Sequence, residues 1–397
     1  MTFRSWGFAA LFGLVLGLPA AAGASIDLVS RVAGEPSVAG GGNGRMSRPS
    51  LSADGRFVAF ESEASNLTAG DTNGGVSDIF VYDRDTDTTE LLTPGGNRDS
   101  TRASISADGR FVTFQSEATN LVAGDTGGGT IDVFLHDRDT DTTQLITAGG
   151  NDLSQVPSIS ANGRFVAFES RADNLAPVDR VGIFHVFVYD RETNSIQPLA
   201  QSGPGANFSS GPSISADGRF IAFNSDASNL VASDPNGEEV DVFVYDRDTD
   251  TIELITAGGN KPSLRPSISA DGRLVAFESR AGNLVAGDTN DDSSDIFVYD
   301  RDTNTTQLLT AGSSRVTGIT PSSGSAEISG NGRWVVFASS ADNLVAGDTN
   351  SRTDTFIYDR DSDSIELLAP GGTYSISADG QLVAFTIGRR LAQMVDL

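Results

Sequence analysis

The stretch Ser50-Leu51-Ser52-Ala53-Asp54-Gly55-Arg56-Phe57-Val58-Ala59-Phe60-Glu61 decides the fold. Asp-Gly between two apolar runs signals a hairpin, because both turn residues tolerate positive φ. In the run after the turn, Phe57 and Ala59 point to one side while Val58 and Phe60 point to the other. Both faces are apolar, so the strand needs a packed neighbour on each side. Outward from it, a long loop leads to Asp78 and a third strand, Ile79-Phe80-Val81-Tyr82. The turn Asp85-Thr86-Asp87 then leads into a fourth, Thr89-Glu90-Leu91-Leu92-Thr93.

This unit recurs. Turns centred on Asp54-Gly55, Asp108-Gly109, Asn162-Gly163, Asp217-Gly218, Asp271-Gly272, Asn331-Gly332 and Asp379-Gly380 are spaced 54, 54, 55, 54, 60 and 48 residues apart. Four strands per unit with no helical period predict the blades of a propeller. A small residue recurs at Ala59, Ala167, Ala222, Ala276 and Ala384, where it admits a neighbouring blade's Phe. The last copy stops after three strands, and Ser25-Ile26-Asp27-Leu28-Val29-Ser30 reads as the spare fourth. The expectation is an all-β propeller of seven four-stranded blades, its ring closed by this N-terminal strand pairing with the C-terminal blade. An open or six-bladed ring with a frayed last unit is the rival.

Residues 1–24 read as a secretory signal peptide. Arg4 is the one charge, an apolar run follows from Trp6 to about Leu18, and Ala22-Gly23-Ala24 suits cleavage. The single propeller domain then spans 25–397, placed in the periplasm or outside the cell, with no membrane insertion after cleavage. The chain has no cysteine, which excludes disulfides, thiolate metal sites and thiol nucleophiles. A net charge of −26 repels nucleic acid and favours cations or basic partners.

At Ser104 to Gln115 with Asp132 to Arg138, and again at Ser267 to Glu278 with Asp295 to Arg301, the sequence resembles the TolB-type β-propeller repeat family. The resemblance covers nearly all of the chain after residue 24 and implies fold rather than activity. It departs from TolB in having seven units and no preceding α/β domain. It departs from propeller-gated peptidases in leaving no residues for a hydrolase domain.

The loop from Asn66 to Asp78 holds the strongest candidate chemistry. Its pair Asp71/Asp78 recurs as Asp125/Asp132, Asp234/Asp241, Asp288/Asp295 and Asp348/Asp354, with Asn73, Asn236, Asn290 and Asn350 two residues after the first Asp. Asp292 enriches the fourth of these loops. Aspartate and asparagine oxygens at this spacing, joined by backbone carbonyls, suit calcium. The other reading is turn chemistry, with Asp71 and Asn73 making Asx-turns and Asp78 binding loop amides.

Remaining polar features read as structural. The Asp85-Thr86-Asp87 type turns are hairpin connections, and Asp83-Arg84 type neighbours are read as surface ion pairs. His136 and His185 read as substitutions within repeats, and two histidines cannot build a multi-histidine metal centre. The third-unit loop around Arg180 and the stretch Ser313 to Ala326 depart from the pattern and are candidate contact sites. The functional expectation is an exported, non-enzymatic binding or scaffold propeller for an unknown protein or carbohydrate, with calcium in its loops. Two alternatives stand beside it: a TolB-like envelope component, and a carboxylate- and cation-dependent hydrolase or lyase acting in the central channel.

Overall fold

The computed structural model describes residues 26–27, 43–125, 129–177, 182–199, 208–288, 293–311, 326–346, 348–350, 352–387 and 390–396. The signal segment 1–24 therefore lies outside the described residues. Among those described, no helix is long and apolar enough to cross a membrane.

The chain is an all-β propeller. In the first blade the inner strand Met46–Leu51 pairs antiparallel with Phe57–Ser62, which pairs with Asp78–Asp83, which pairs with the outer Thr88–Leu91. Five further blades of the same order occupy 100–145, 154–198, 209–254, 263–308 and 327–370. The expectation of seven four-stranded blades is corrected at the last unit. Six blades are four-stranded units of continuous chain. The remaining sheet has three strands from the C-terminal stretch, Tyr374–Ile376, Leu382–Ile387 and Arg390–Asp396. Only the two residues Ile26–Asp27 add to its outer edge, opposite Val395 and Met394. The last two turns lie 48 residues apart, and among the described residues the stretch after the last turn supplies two strands. The rest of the spare strand read at 25–30 lies outside the described residues.

Backbone bonds circle the axis. Ala53 donates to the Ala107 carbonyl, Ala107 to Ala161, and so on to Asp379, which donates to Ala53 at 3.4 Å. The inner strands thus surround a central channel. The cores lie between neighbouring sheets, as the two-faced second strand requires. Ala59 is fully buried against Phe114 and Phe134 of the next blade, while Val58 and Phe60 pack against Leu382 and Ala384 of the C-terminal sheet. Within each of the six blades a buried Phe of the second strand stacks on one of the third, as Phe60 does on Phe80 at 5.6 Å. The turn glycines are held by two constraints. Gly109 has φ 73°, and a Cβ there would sit 2.1 Å from the Phe57 ring of the preceding blade.

The inner strands carry a device not read from the sequence. Each of the blades 1 to 5 has a bulge whose central residue takes positive φ: Arg48, Arg102, Val156, Gly211 and Arg265, at 49–63°. Such backbone is strained for a side-chain-bearing residue. In blades 2 to 5 a buried polar residue of the preceding blade's second strand clamps it, while Arg48 N donates to Thr373 Oγ1 at 2.8 Å. Glu61 accepts from Arg102 N (2.9 Å), Gln115 from Val156 N (3.0 Å) and Glu169 from Gly211 N (2.8 Å). Two residues on, a channel serine accepts the next blade's isoleucine amide, as Ser50 does from Ile105 at 3.2 Å. In the sixth unit Glu327 replaces that serine and does the same for Ile376.

Candidate cation loops and the central channel

Each inner strand begins, and each second strand ends, on the face that carries the long loops. The Asp-Gly turns lie on the opposite face. The loop aspartates and the channel mouth with its bulges therefore share one face of the ring.

In the first blade the structure brings Asp71, Asn73 and Asp78 together. Asp71 Oδ1 accepts the Asn73 amide at 3.3 Å, which is an Asx-turn. The Asn73 side chain donates to Gly96 O at 2.8 Å and stands beside the Asp78 carboxylate. Asp78 is completely buried. Its Oδ1 accepts from the Thr93 hydroxyl at 2.6 Å, not from the loop amides that turn chemistry called for. Its Oδ2 and the Asn73 Oδ1 are buried with no hydrogen-bond partner. Burial pushes the Asp78 carboxyl up to about 6, with Asp71 and Asp99 adding repulsion against the Thr93 bond.

The fourth blade repeats this arrangement. Asp234 Oδ1 accepts from Asn236 N and Gly237 N, Asn236 donates to Gly259 O, and Thr256 donates to Asp241. Asp241 Oδ2 and Asn236 Oδ1 are again buried and unpartnered, and burial lifts Asp241 to about 6. In the sixth blade Asn350 donates to Asp354 Oδ2 at 2.7 Å, and the Asp348 and Asp354 carboxylates face each other. Burial and Asp348 together raise Asp354, while Asp348 Oδ2 and Asp354 Oδ1 have no donor. In the second blade Thr147 donates to Asp132 at 2.7 Å, burial lifts Asp132 to about 6, and Asp125 adds repulsion. In the fifth, Thr310 donates to Asp295, and Asp288 closes a loop turn to Val285 O. Asn290 and Asp292 lie outside the described residues.

Among the described residues, no three His, Cys, Asp or Glu side chains converge closely enough to hold a metal alone. A cation here must draw on asparagine and backbone oxygens as well as two carboxylates. The threonines that pair with these aspartates were missed in the sequence. Their signal was the Thr that closes each Leu-Leu-Thr or Leu-Ile-Thr run, at Thr93, Thr147, Thr256 and Thr310.

The central channel is a cavity of about 600 Å³. Arg48, Arg102 and Arg265 line it from the bulges, with Glu169, Glu327 and Tyr374. Arg48 and Arg265 each reach the glutamate of their own blade, Glu61 at 3.3 Å and Glu278 at 3.0 Å. Glu327 accepts from Ser375 and Ile376 on the same oxygen, and burial pushes it up to about 7.

The two histidines stay outside the channel, as substitutions within repeats. His136 takes the place of Tyr82 and bonds Thr143 at 2.9 Å, and burial lowers its pKa. His185 opens a third strand and meets Phe187 edge-on. Of the two irregular stretches, 178–181 and 312–325 lie outside the described residues.

The reading of Asp83-Arg84 type ion pairs is corrected. Adjacent strand residues face opposite ways. Asp83 instead pairs with Arg56 through two bonds, at 3.0 and 2.8 Å, and the same geometry recurs at Arg110–Asp137, Arg164–Asp190, Arg219–Asp246, Arg273–Asp300 and Arg333–Asp359. The arginine after the aspartate crosses to the preceding blade. Arg138 lies 4.6 Å over the Phe57 ring, whose other neighbour is Arg56.

No protein-family model matches the sequence, and no curated protein matches it. Similar solved structures include TolB from Acinetobacter baumannii, at 17% identity and a TM-score of 0.49, over 84% of this chain and 65% of that one. They also include an oligogalacturonate lyase from Vibrio parahaemolyticus, at 12% identity and 0.58, over 89% and 91%. An oligogalacturonate lyase in complex with manganese matches at 12% identity and 0.59, over 94% and 96%. The chain thus spans about two-thirds of the TolB it matches, and at these identities the likeness is one of fold. By its repeats and architecture the chain is an all-β propeller, the fold it shares with these lyase structures.

Proposed function

We propose that the chain is an exported binding propeller whose loop face is held in shape by calcium and presents a site for a protein or glycan outside the cytoplasm. The carrying observation is the set of buried, unpartnered oxygens at Asp78 and Asn73, Asp241 and Asn236, and Asp348 and Asp354. Leaving a buried acceptor unmade costs about 1–3 kcal/mol, and more for a charged one. A hard cation accepting six to eight oxygens would satisfy these atoms and cancel the carboxylate repulsion. The signal-like residues 1–24 and the acidic composition support a location where calcium is plentiful.

Thermal unfolding in excess EDTA and in millimolar calcium tests the reading. A cation that binds only the folded state adds about 2.7 kcal/mol at a hundredfold excess over its Kd. A raised midpoint in wild type, lost stepwise in Asp78→Asn and Asp241→Asn, is the expected result. An unchanged midpoint at 10-fold higher calcium would reduce the loops to turn chemistry.

One observation favours a second reading, an enzyme working in the channel. Glu327 alone breaks the ring of channel serines, and its carboxyl, pushed up to about 7, suits general acid or base work. Hydrolysis or cleavage of an acidic polysaccharide that vanishes in Glu327→Gln would establish it.

A further inference from the structure

Three guanidiniums converge in the channel of a protein whose net charge is −26. They come from the same bulge position in the first, second and fifth blades, and Arg102 lies close enough to feel both Arg48 and Arg265. The carboxylates around them are already committed. Glu61 Oε2 takes the Arg102 backbone amide, and its Oε1 takes Ser47 and Arg48. Glu169 takes Gln155 on one oxygen and Gly211 N on the other. Glu278 takes Ser294 and Arg265. Glu61 and Glu169 are thus spent on clamping strained backbone, and Glu278 on a serine and an arginine. Among the described residues no acceptor bonds the Arg102 guanidinium; burial, Arg48 and Arg265 lower its pKa against the attraction of Glu169 and Glu61. A guanidinium presents five donors in a fork matched to carboxylate and phosphate.

We propose that the channel mouth is a binding site for a small polyanion, one bearing at least two carboxylate or phosphate groups, with Arg102 as its central contact and Arg48 and Arg265 on either side. The opening lies on the face of the Asp loops, whose negative field would select against bulky polyanions and leave compact ones to enter. Proline and apolar walls at Pro49, Pro157, Pro266 and Leu264 narrow the cavity. Bidentate, charge-assisted contacts from a guanidinium are stronger than neutral hydrogen bonds. Arg48 and Arg265 each keep donors beyond their single glutamate contact, so a bound anion would not have to break those pairs.

The test uses isothermal titration with citrate and, separately, with pyrophosphate, on protein stripped with EDTA and dialysed into chelator-free buffer, so that neither loop cations nor another polycarboxylate take part. Saturable binding of either anion is expected, and which of the two binds tells carboxylate from phosphate. Arg102→Gln should weaken it at least tenfold, and Arg102→Lys should restore part of the loss. Arg280→Gln, at an exposed position away from the channel, should bind as wild type does. The unfolding midpoint of Arg102→Gln should stay close to that of wild type, because the half-buried Arg102 guanidinium makes no hydrogen bond or ion pair among the described residues. No binding of either anion at millimolar concentration would overturn the proposal, as would equal affinities in wild type and Arg102→Gln.

Discussion

The third strand of the first blade, Asp78–Asp83, begins and ends with the same residue type in opposite electrostatic states. Asp83, on the turn face, is gripped by the Arg56 fork, which holds its carboxyl down at about 2. Asp78, on the loop face, is fully buried against a neutral threonine, and burial lifts it to about 6. Five residues along one strand separate a satisfied anion from an unsatisfied one. The contrast recurs in the second and fourth blades, at Asp132 against Asp137 and Asp241 against Asp246. On the turn face each of these strand-ending aspartates is therefore paired within the chain. On the loop face Asp78, Asp241 and Asp354 each keep a buried oxygen without a donor.

The largest expected effect is on stability against pH. Asp78, Asp132 and Asp241 have folded pKa values near 6, above the unfolded value of 3.8. Between those values the folded state binds protons that the unfolded state has released. Their contribution is thus present below pH 4 and lost as pH rises through 6. Asp83 and its equivalents act in the opposite sense, with stability lost as pH falls from 4 towards 2. In EDTA the midpoint should therefore peak near pH 4–5 and fall by pH 7.5, by on the order of 2 kcal/mol for each loop aspartate. Calcium should flatten the upper limb and leave the acid limb alone. A midpoint that climbs from pH 5 to 7.5 in EDTA would break the comparison.

A smaller effect sharpens it residue by residue. Asp78→Asn keeps an acceptor for Thr93 and offers a donor to the unpartnered Asn73 Oδ1. In EDTA at pH 7.5 it should raise the midpoint by about 1–3 °C and remove one increment of calcium stabilisation. Asp83→Asn strips the partner from Arg56 and should lower the midpoint by about 1–2 °C, with calcium response intact. Opposite signs from one substitution type at the two ends of one strand are the result to look for. Equal signs would mean that Asp78 has a partner the geometry does not contain.

Much of this architecture was legible in sequence because local rules suffice for it. The Asp-Gly turns are hairpins, the two-faced second strand is buried on both sides, and Ala59 sits at 0% exposure beside its neighbour's Phe residues. What could not be read depends on partners brought together across strands. Thr93 meets Asp78 from two strands' outer edge, and Arg56 meets Asp83 across 27 positions. The adjacent Arg84 was the wrong partner for a reason that strand alternation already supplies. The channel arginines were hidden for a different cause. Their ring position holds Val156 and Gly211 in two blades, so no repeat of charge marked it, and only the bulge geometry turns it inward.

The smallest expected effect tests whether the turn face owes anything to its arginine–aromatic stacks. Arg191 lies 4.1 Å over Phe111 of the preceding blade, and its Nε donates to Gly163 O at 3.0 Å. Arg360 makes the matching carbonyl bond, to Gly332 O at 2.8 Å, but Leu274 fills the position of the ring there. The residue on the preceding outer strand that pairs with Arg138 in the second blade is Glu90. For Arg191 and Arg360 the equivalent residues are Gln144 and Gln307, so neither site carries that ion pair. Arg191→Lys and Arg360→Lys thus differ in the ring and in the capping nitrogen, which is Nε at Arg191 and Nη1 at Arg360, whose own Nε has no partner. The first should cost about 0.5 kcal/mol more than the second, the usual scale for a cation over an aromatic face that is partly exposed. Equal losses in denaturant unfolding would assign these arginines to carbonyl capping, and the turn face would then be completed by the Arg56–Asp83 type pairs without help from the rings.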